Sequence, residues 1–140
     1  MENLKTVNIK GKEYVEVNER IRYFRTSPEY TDWRLITELV SISEDSVLMK
    51  ASVMDSEGIV RATGYARECR SDNFINGTSY VENCETSAWG RALGNLGIGI
   101  TVSIASAEEV TNAIKNQPIH MVIDMLLATT QKNYNKKTRN

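Results

Sequence analysis

The spacing of apolar and polar positions along the chain predicts an ordered series of elements. Residues 6–9 and 13–17 read as two short strands around Lys10-Gly11-Lys12, which is a hairpin pattern. Asn18 is a candidate cap for a helix running to about residue 25, where Ser27-Pro28 stops it. Residues 34–42 are rich in β-formers and end at the polar turn Ser43-Glu44-Asp45-Ser46. In 47–54 the residues alternate, with Val47, Met49, Ala51 and Val53 on one face. Asp55-Ser56-Glu57-Gly58 is a turn signal, and 59–69 is the next strand. There Val60, Ala62, Gly64 and Ala66 point one way, and Arg61, Thr63, Tyr65 and Arg67 the other.

A glycine-bearing loop around Asn76-Gly77 leads into a long helix over about 78–96, which Gly97 and Gly99 end. Val81, Cys84, Ala88, Ala92 and Leu96 form its apolar stripe, widened by Trp89 and Leu93. Its other side carries Ser87, Gly90, Arg91 and Gly94. Glycine inside a helix costs roughly 1 kcal/mol relative to alanine, so this small face needs something close against it. Two readings stay open: tight packing within the fold, or approach of a neighbouring backbone or a phosphate chain, with Arg91 supplying the charge. Ser106-Ala-Glu-Glu109 is a capping box for a short helix to about 115. Ile119, Val122, Ile123, Leu126 and Leu127 make an apolar stripe on a last helix, for core packing or for a subunit contact. The expected fold class is therefore α+β: a helix, a three-stranded antiparallel meander and a long helix, with an N-terminal hairpin and C-terminal helices. One domain over 1–130 and a disordered basic tail over 131–140 are expected.

Composition narrows the function classes. The chain has 140 residues, 41% of them hydrophobic and 25% charged, as ordinary soluble domains do. No apolar run is long enough to span a membrane, and the start, Met-Glu-Asn-Leu-Lys, lacks a signal-peptide pattern, so a cytoplasmic protein without a membrane partner is expected. Cys69 and Cys84 have neither zinc-site nor disulfide-framework spacing. The formal net charge is only −1, yet Arg20, Arg22, Arg25, Arg34, Arg61, Arg67, Arg70 and Arg91 accompany a single lysine, Lys50, through the middle of the chain. Arginine forks onto phosphate as lysine cannot. Lys132, Lys136, Lys137 and Arg139 add a second basic cluster in the tail. The Arg61–Thr63–Tyr65–Arg67 face is either solvated or tracks a nucleic-acid backbone.

Catalysis finds little support. His120 is the only histidine and sits in an apolar segment. No Ser/His or Cys/His arrangement, P-loop or converging carboxylate set is evident, so neither an enzyme, a metal site nor a cofactor is expected.

Three motifs in order resemble the Rad52 single-strand annealing superfamily, including phage annealing proteins and DdrA-type relatives. They are Tyr14-Val-Glu-Val17 leading through the Arg20–Arg25 helix to Tyr30-Thr-Asp-Trp33, then Lys50-Ala-Ser-Val-Met-Asp-Ser-Glu-Gly58 through Ala62-Thr-Gly-Tyr65, and Glu85-Thr-Ser-Ala-Trp-Gly-Arg-Ala-Leu-Gly-Asn-Leu-Gly97. The resemblance implies a β-β-β-α core that assembles into rings or filaments, binds single-stranded DNA in a basic outer groove, and anneals complementary strands without ATP in recombination and repair. By the same resemblance Arg91 and Arg20 line the groove. Lys50, Arg61 and Arg67 are further DNA-binding candidates, and Ser87, Gly90 and Gly94 form a close-approach face. A phage origin, a bacterial host cytoplasm and host or phage recombination partners go with it. Gly90 and Gly94 stand where better-known members carry cations. Two alternatives therefore remain: a single-strand coating protein without annealing activity, or a structural or regulatory oligomer that has lost DNA.

Overall fold

The computed structural model describes residues 4–70, 74–101, 103–115 and 126–128. Strands β1 (Thr6–Ile9) and β2 (Lys12–Val15) form a hairpin around Lys10-Gly11, both with positive φ. Helix α1 (Val17–Thr26) and a short 3-10 turn, Pro28–Tyr30, follow. Strands β3 (Arg34–Ile42), β4 (Ser46–Met54) and β5 (Val60–Cys69) make an antiparallel sheet in that order. Helix α2 (Phe74–Leu96) and helix α3 (Ala107–Lys115) complete the described elements. The α+β expectation holds at this level: a three-stranded antiparallel sheet precedes a long helix.

The alternating pattern sets the sheet's two faces. Val47, Met49, Ala51 and Val53 of β4 are buried on one face, as is Ala62 of β5. The opposing stripe of α2 is Cys84, Ala88, Ala92 and Leu93, all fully buried. Burying a valine or leucine side chain contributes about 1.5–3 kcal/mol, so this seam anchors the fold. Helix and sheet meet closely because Gly64 lies under α2. A Cβ there would fall on the Ala92 amide nitrogen, with the Ala88 carbonyl oxygen at 2.9 Å. Phe24 of α1 enters the same core, and Tyr30 packs against Tyr23, Phe24 and Trp33 at centroid distances of 6.4, 5.3 and 5.1 Å.

Two helix starts differ from expectation. Helix α1 starts at Val17, so Asn18 lies inside it rather than capping it. Its cap is long-range: the Val17 amide donates to both Glu108 carboxylate oxygens, at 3.3 and 3.1 Å. Helix α2 begins at Phe74 rather than 78 and breaks at Ser79, whose φ of −140° and ψ of 29° are not helical. It ends as the glycines predict, with the Ile98 amide donating to the Leu93 carbonyl across Gly97, a Schellman closure. The capping box is also present: the Ser106 amide donates to Glu109 Oε2 at 2.7 Å and the Glu109 amide to Ser106 Oγ at 3.2 Å. Of the last helix only 126–128 is described, as helical with Leu126 and Leu127 exposed. Ile119, His120, Val122, Ile123 and the 131–140 tail lie outside the described residues. No helix among the described residues is long and apolar enough to cross a membrane.

Candidate nucleic-acid interface

Helix α2 packs on the face of the sheet that carries Val47, Met49, Ala51 and Val53, where Phe24 of α1 joins it, and the other face carries the exposed Glu38, Tyr65 and Arg67. Register sets the side chains of that face in rows, exposed at Glu38, Tyr65 and Arg67, half-buried at Ile36, Leu48, Lys50 and Thr63, and buried at Ser52. Glu38, Lys50 and Tyr65 lie opposite one another across β3, β4 and β5, and Ile36, Ser52 and Thr63 make the adjacent row. Leu48 faces Arg67 in the row on the other side. Tyr65 is 53% exposed, and the Lys50 ammonium lies 5.7 Å from its ring centroid, a cation–π contact. The structure thus brings Lys50, Arg67 and Tyr65 onto one open surface.

Arg61 sits at the same face but is tied down. A bulge between the Val53–Ala62 and Met54–Val60 pairs leaves it unpaired in the ladder, and its Nε donates to Asp55 Oδ2 at 2.7 Å. Asp55 in turn accepts from the Glu57 and Ile59 amides at 2.9 and 3.0 Å. Burial alone would raise the Asp55 pKa; the Ile59 amide, Arg61 and the Glu57 amide outweigh it and hold the carboxyl below its ordinary value. Arg61 is therefore the clasp of the β4–β5 turn, with its charge already matched. Arg67 makes no ion pair among the described residues.

Arg91 reaches this surface from the side. A groove of about 320 Å³ opens between β5, α2 and α3, lined by Tyr65, Arg67, Ser87, Arg91, Glu109 and Asn112 among others. Tyr65 and Arg67 belong to both the open face and this groove. Arg91 is half exposed and paired with Glu109 Oε1 at 3.3 Å.

Arg20 is elsewhere, and the expectation of a phosphate contact there fails. It is fully buried. Its Nη1 donates to the carbonyls of Gly90 and Ile104, each at 2.8 Å, and its Nη2 to those of Gly99 and Ser103 at 3.4 and 3.1 Å. Burial lowers its pKa, opposed by the nearby Glu109 and Glu108 carboxylates. Arginine still stays charged at this depth. Gly90 and Gly94 are covered for the same reason. A Cβ on Gly90 would lie 2.6 Å from Val17 Cγ2, and one on Gly94 would lie 2.7 Å from Arg20 Nη1 and 3.0 Å from the Ile104 carbonyl oxygen. The small face therefore receives α1 and the segment after α2, which closes it to DNA. Ser87, buried beside them, shares a 3.5 Å contact with Glu68.

The family model described as Slr1353 N-terminal dsRNA-binding domain-like matches residues 21–96, from inside α1 to the end of α2. The chain belongs to that family. No curated protein matches the chain, and no solved structure does. The Rad52 resemblance is thereby corrected: the match is to a different family, over the stretch of this chain that runs helix, three strands, helix. The motifs that suggested it have local explanations. Gly64 is required by α2, and Gly90 and Gly94 by α1 and Arg20, so these glycines report close packing rather than an annealing groove. The hairpin and α3 lie outside the matched range, as do Val17 and Arg20; the Arg20 clamp reaches into it at the Gly90 carbonyl.

Sequence reasoning missed the residues that decide which cations are available. Asp55 reads as a turn former, and only the bulge reveals it as the partner of Arg61. Glu109 reads as a capping-box residue, and only the fold brings it to Arg91. Among the described residues, no group of three or more histidine, cysteine or acidic side chains could hold a metal ion.

Proposed function

We propose that the protein binds nucleic acid on the open face of its sheet and takes it single-stranded. The observation that carries this reading is the array of Lys50, Tyr65 and Arg67 on the sheet face away from α2, with Tyr65 and Arg67 exposed. An exposed aromatic supplies a stacking platform for any base, and cations beside it follow the backbone. The groove beside β5 extends the path to Arg91, which meets a phosphate once it releases Glu109. The role is binding rather than catalysis. Annealing asks for bases turned outward to a complementary strand, whereas stacking on Tyr65 turns them inward. Holding or coating a strand therefore fits this face better than annealing.

A duplex reading is favoured by the family description. Double-stranded RNA is recognised by shape, through 2′-hydroxyls and phosphates spread over a long footprint. Against it, the β3–β4 turn carries Glu44 and Asp45, and Arg22 on α1 is engaged with Glu19 at 3.1 Å. The deciding experiment is fluorescence anisotropy with labelled single strands and duplexes of one sequence, as DNA and as RNA, over a salt series. The expected result is tighter binding of the single strand, weakened by Tyr65→Ala about five- to hundredfold, the range of one lost base stack. Tighter duplex binding that ignores Tyr65→Ala would transfer the function to the duplex reading.

A further inference from the structure

Strand β3 is an edge of the sheet, paired only with β4. Its last residues depart from the alternation that a half-buried strand needs: Leu39, Val40 and Ile42 are 55, 50 and 54% exposed. A bulge between Leu39 and Ser41 leaves Val40 out of the ladder. Helix α2 lies mainly over β4 and β5, which is why Leu39 and Ile42 stay uncovered even though they pair with the core-facing Met49 and Val47. Three large apolar side chains within four residues of an unpaired edge are the kind of surface that natural sheets usually blunt or cover.

The charges on β3 indicate what covers it. Arg34 and Glu38 point to the same face, four residues apart, with Ile36 between them. Neither makes an ion pair among the described residues. We infer that β3 pairs antiparallel with β3 of a second copy of this chain, about a two-fold axis at Ile36. In that register Arg34 of each copy stands opposite Glu38 of the other, and Ile36 meets Ile36. Antiparallel pairing preserves the in–out alternation, so both charges and both isoleucines remain on one face. Beyond this stretch Leu39, Val40 and Ile42 run out along the turn before β3 of the second copy, where the half-buried Trp33 and Tyr30 lie. The contact is self-complementary and closes at two copies, unlike a ring or a filament. It joins two open sheet faces edge to edge. The pairing does not depend on what those faces bind.

The test is analytical ultracentrifugation of the whole chain over a concentration series, with Arg34→Glu, Glu38→Arg and the double variant carrying both changes. Each single change sets like charges opposite one another twice in the dimer; the double change restores both attractions with reversed polarity. The expected result is a concentration-dependent dimer whose dissociation constant rises about tenfold or more in either single variant and returns toward the starting value in the double variant. Urea unfolding of all four proteins separates this from lost folding, since Glu38→Arg also sets an arginine opposite Lys50 within the chain. Arg34→Glu leaves Lys50 alone and reports on the interface by itself. A monomer at every concentration, or a dimer indifferent to both single changes, would overturn the pairing. Single variants that dissociate without rescue in the double variant would overturn the register.

Discussion

Replacing Arg20 by methionine removes the guanidinium while keeping an unbranched apolar stem of similar reach. Three of the four carbonyls it serves, those of Gly99, Ser103 and Ile104, belong to the segment between α2 and α3. Each buried carbonyl left without a donor costs about 1–3 kcal/mol, and water entering the site recovers part of that. The variant also relieves one defect, because Arg20 Nε is buried without a hydrogen-bond partner. With four carbonyls losing a donor, offset by entering water and by the relieved Nε, a net loss of about 3–5 kcal/mol is expected. Urea unfolding with an unchanged m-value measures the loss directly. Hydrogen exchange at the Val17 amide gives a second readout, since Glu108 can hold that amide only while the segment before α3 is fixed. A fall in stability of less than about 1 kcal/mol together with a loss of salt dependence in nucleic-acid binding would make Arg20 a phosphate contact and refute its role as a buried clamp.

Three further outcomes follow from the same geometry. Gly64→Ala sets a methyl group against α2 backbone, which has no rotamer to yield, so a loss at the upper end of the usual 1–3 kcal/mol for overpacking is expected; an unchanged melting temperature would refute the close contact. Glu108→Ala removes the only side-chain cap of α1 among the described residues and should cost about 1 kcal/mol, whereas Glu108→Gln should keep most of that stability, as urea midpoints of the two variants would report. Burial pushes the Cys84 thiol from 9.0 up to about 11, so the folded chain keeps a proton that the unfolded chain releases across that window. Stability attributable to Cys84 is therefore full below pH 9.0 and declines toward pH 11; the wild-type urea midpoint should fall more steeply than that of Cys84→Ala, and parallel slopes would show that the thiol is not held neutral.

The order of elements was legible because periodicity switches cleanly between strands and helices. Val47, Met49, Ala51 and Val53 announce a half-buried strand, and Cys84, Ala88 and Ala92 its covering helix. Arg20 was not legible. An arginine on a polar helix reads as a surface cation, and only the fold shows four carbonyls converging on it. The same gap hides the Glu108 cap, whose donor and acceptor lie 91 residues apart. Gly90 and Gly94 were half legible: their small size announced a close approach, while its source, α1 and a buried guanidinium rather than a ligand, is long-range information. On the candidate surface the strand alternation placed Tyr65 and Arg67 correctly. It could not show Arg61 clasped by Asp55, because the bulge at Val60 depends on pairing with β4.

Counting partners rather than cations changes what binding should look like. Arg61 is matched by Asp55 and Arg91 by Glu109, and Lys50 has Glu38 opposite it across the strand pair. Arg34, on the same face, is taken up by Glu38 of a second copy in the proposed β3 pairing, so a strand crossing the open face finds Arg67 and Lys50 directly, and Arg91 once Glu109 is displaced. Two to three phosphate contacts on a single strand correspond to a slope of log K against log salt of about −1.5 to −2. The near-neutral net charge of −1 agrees with so shallow a dependence. One chain would then hold a strand weakly, and useful affinity would come from copies engaging the same strand together, as linked sites multiply affinity without new contacts. Anisotropy at several salt concentrations with a short and a long single strand tests both points. The short strand should give the shallow slope, flattened by about 0.7 in Arg67→Ala, and the long strand should bind far more tightly per site. A slope steeper than about −4 on the short strand would mean that the main cations lie elsewhere. The Lys132, Lys136, Lys137 and Arg139 cluster would be the first to remove.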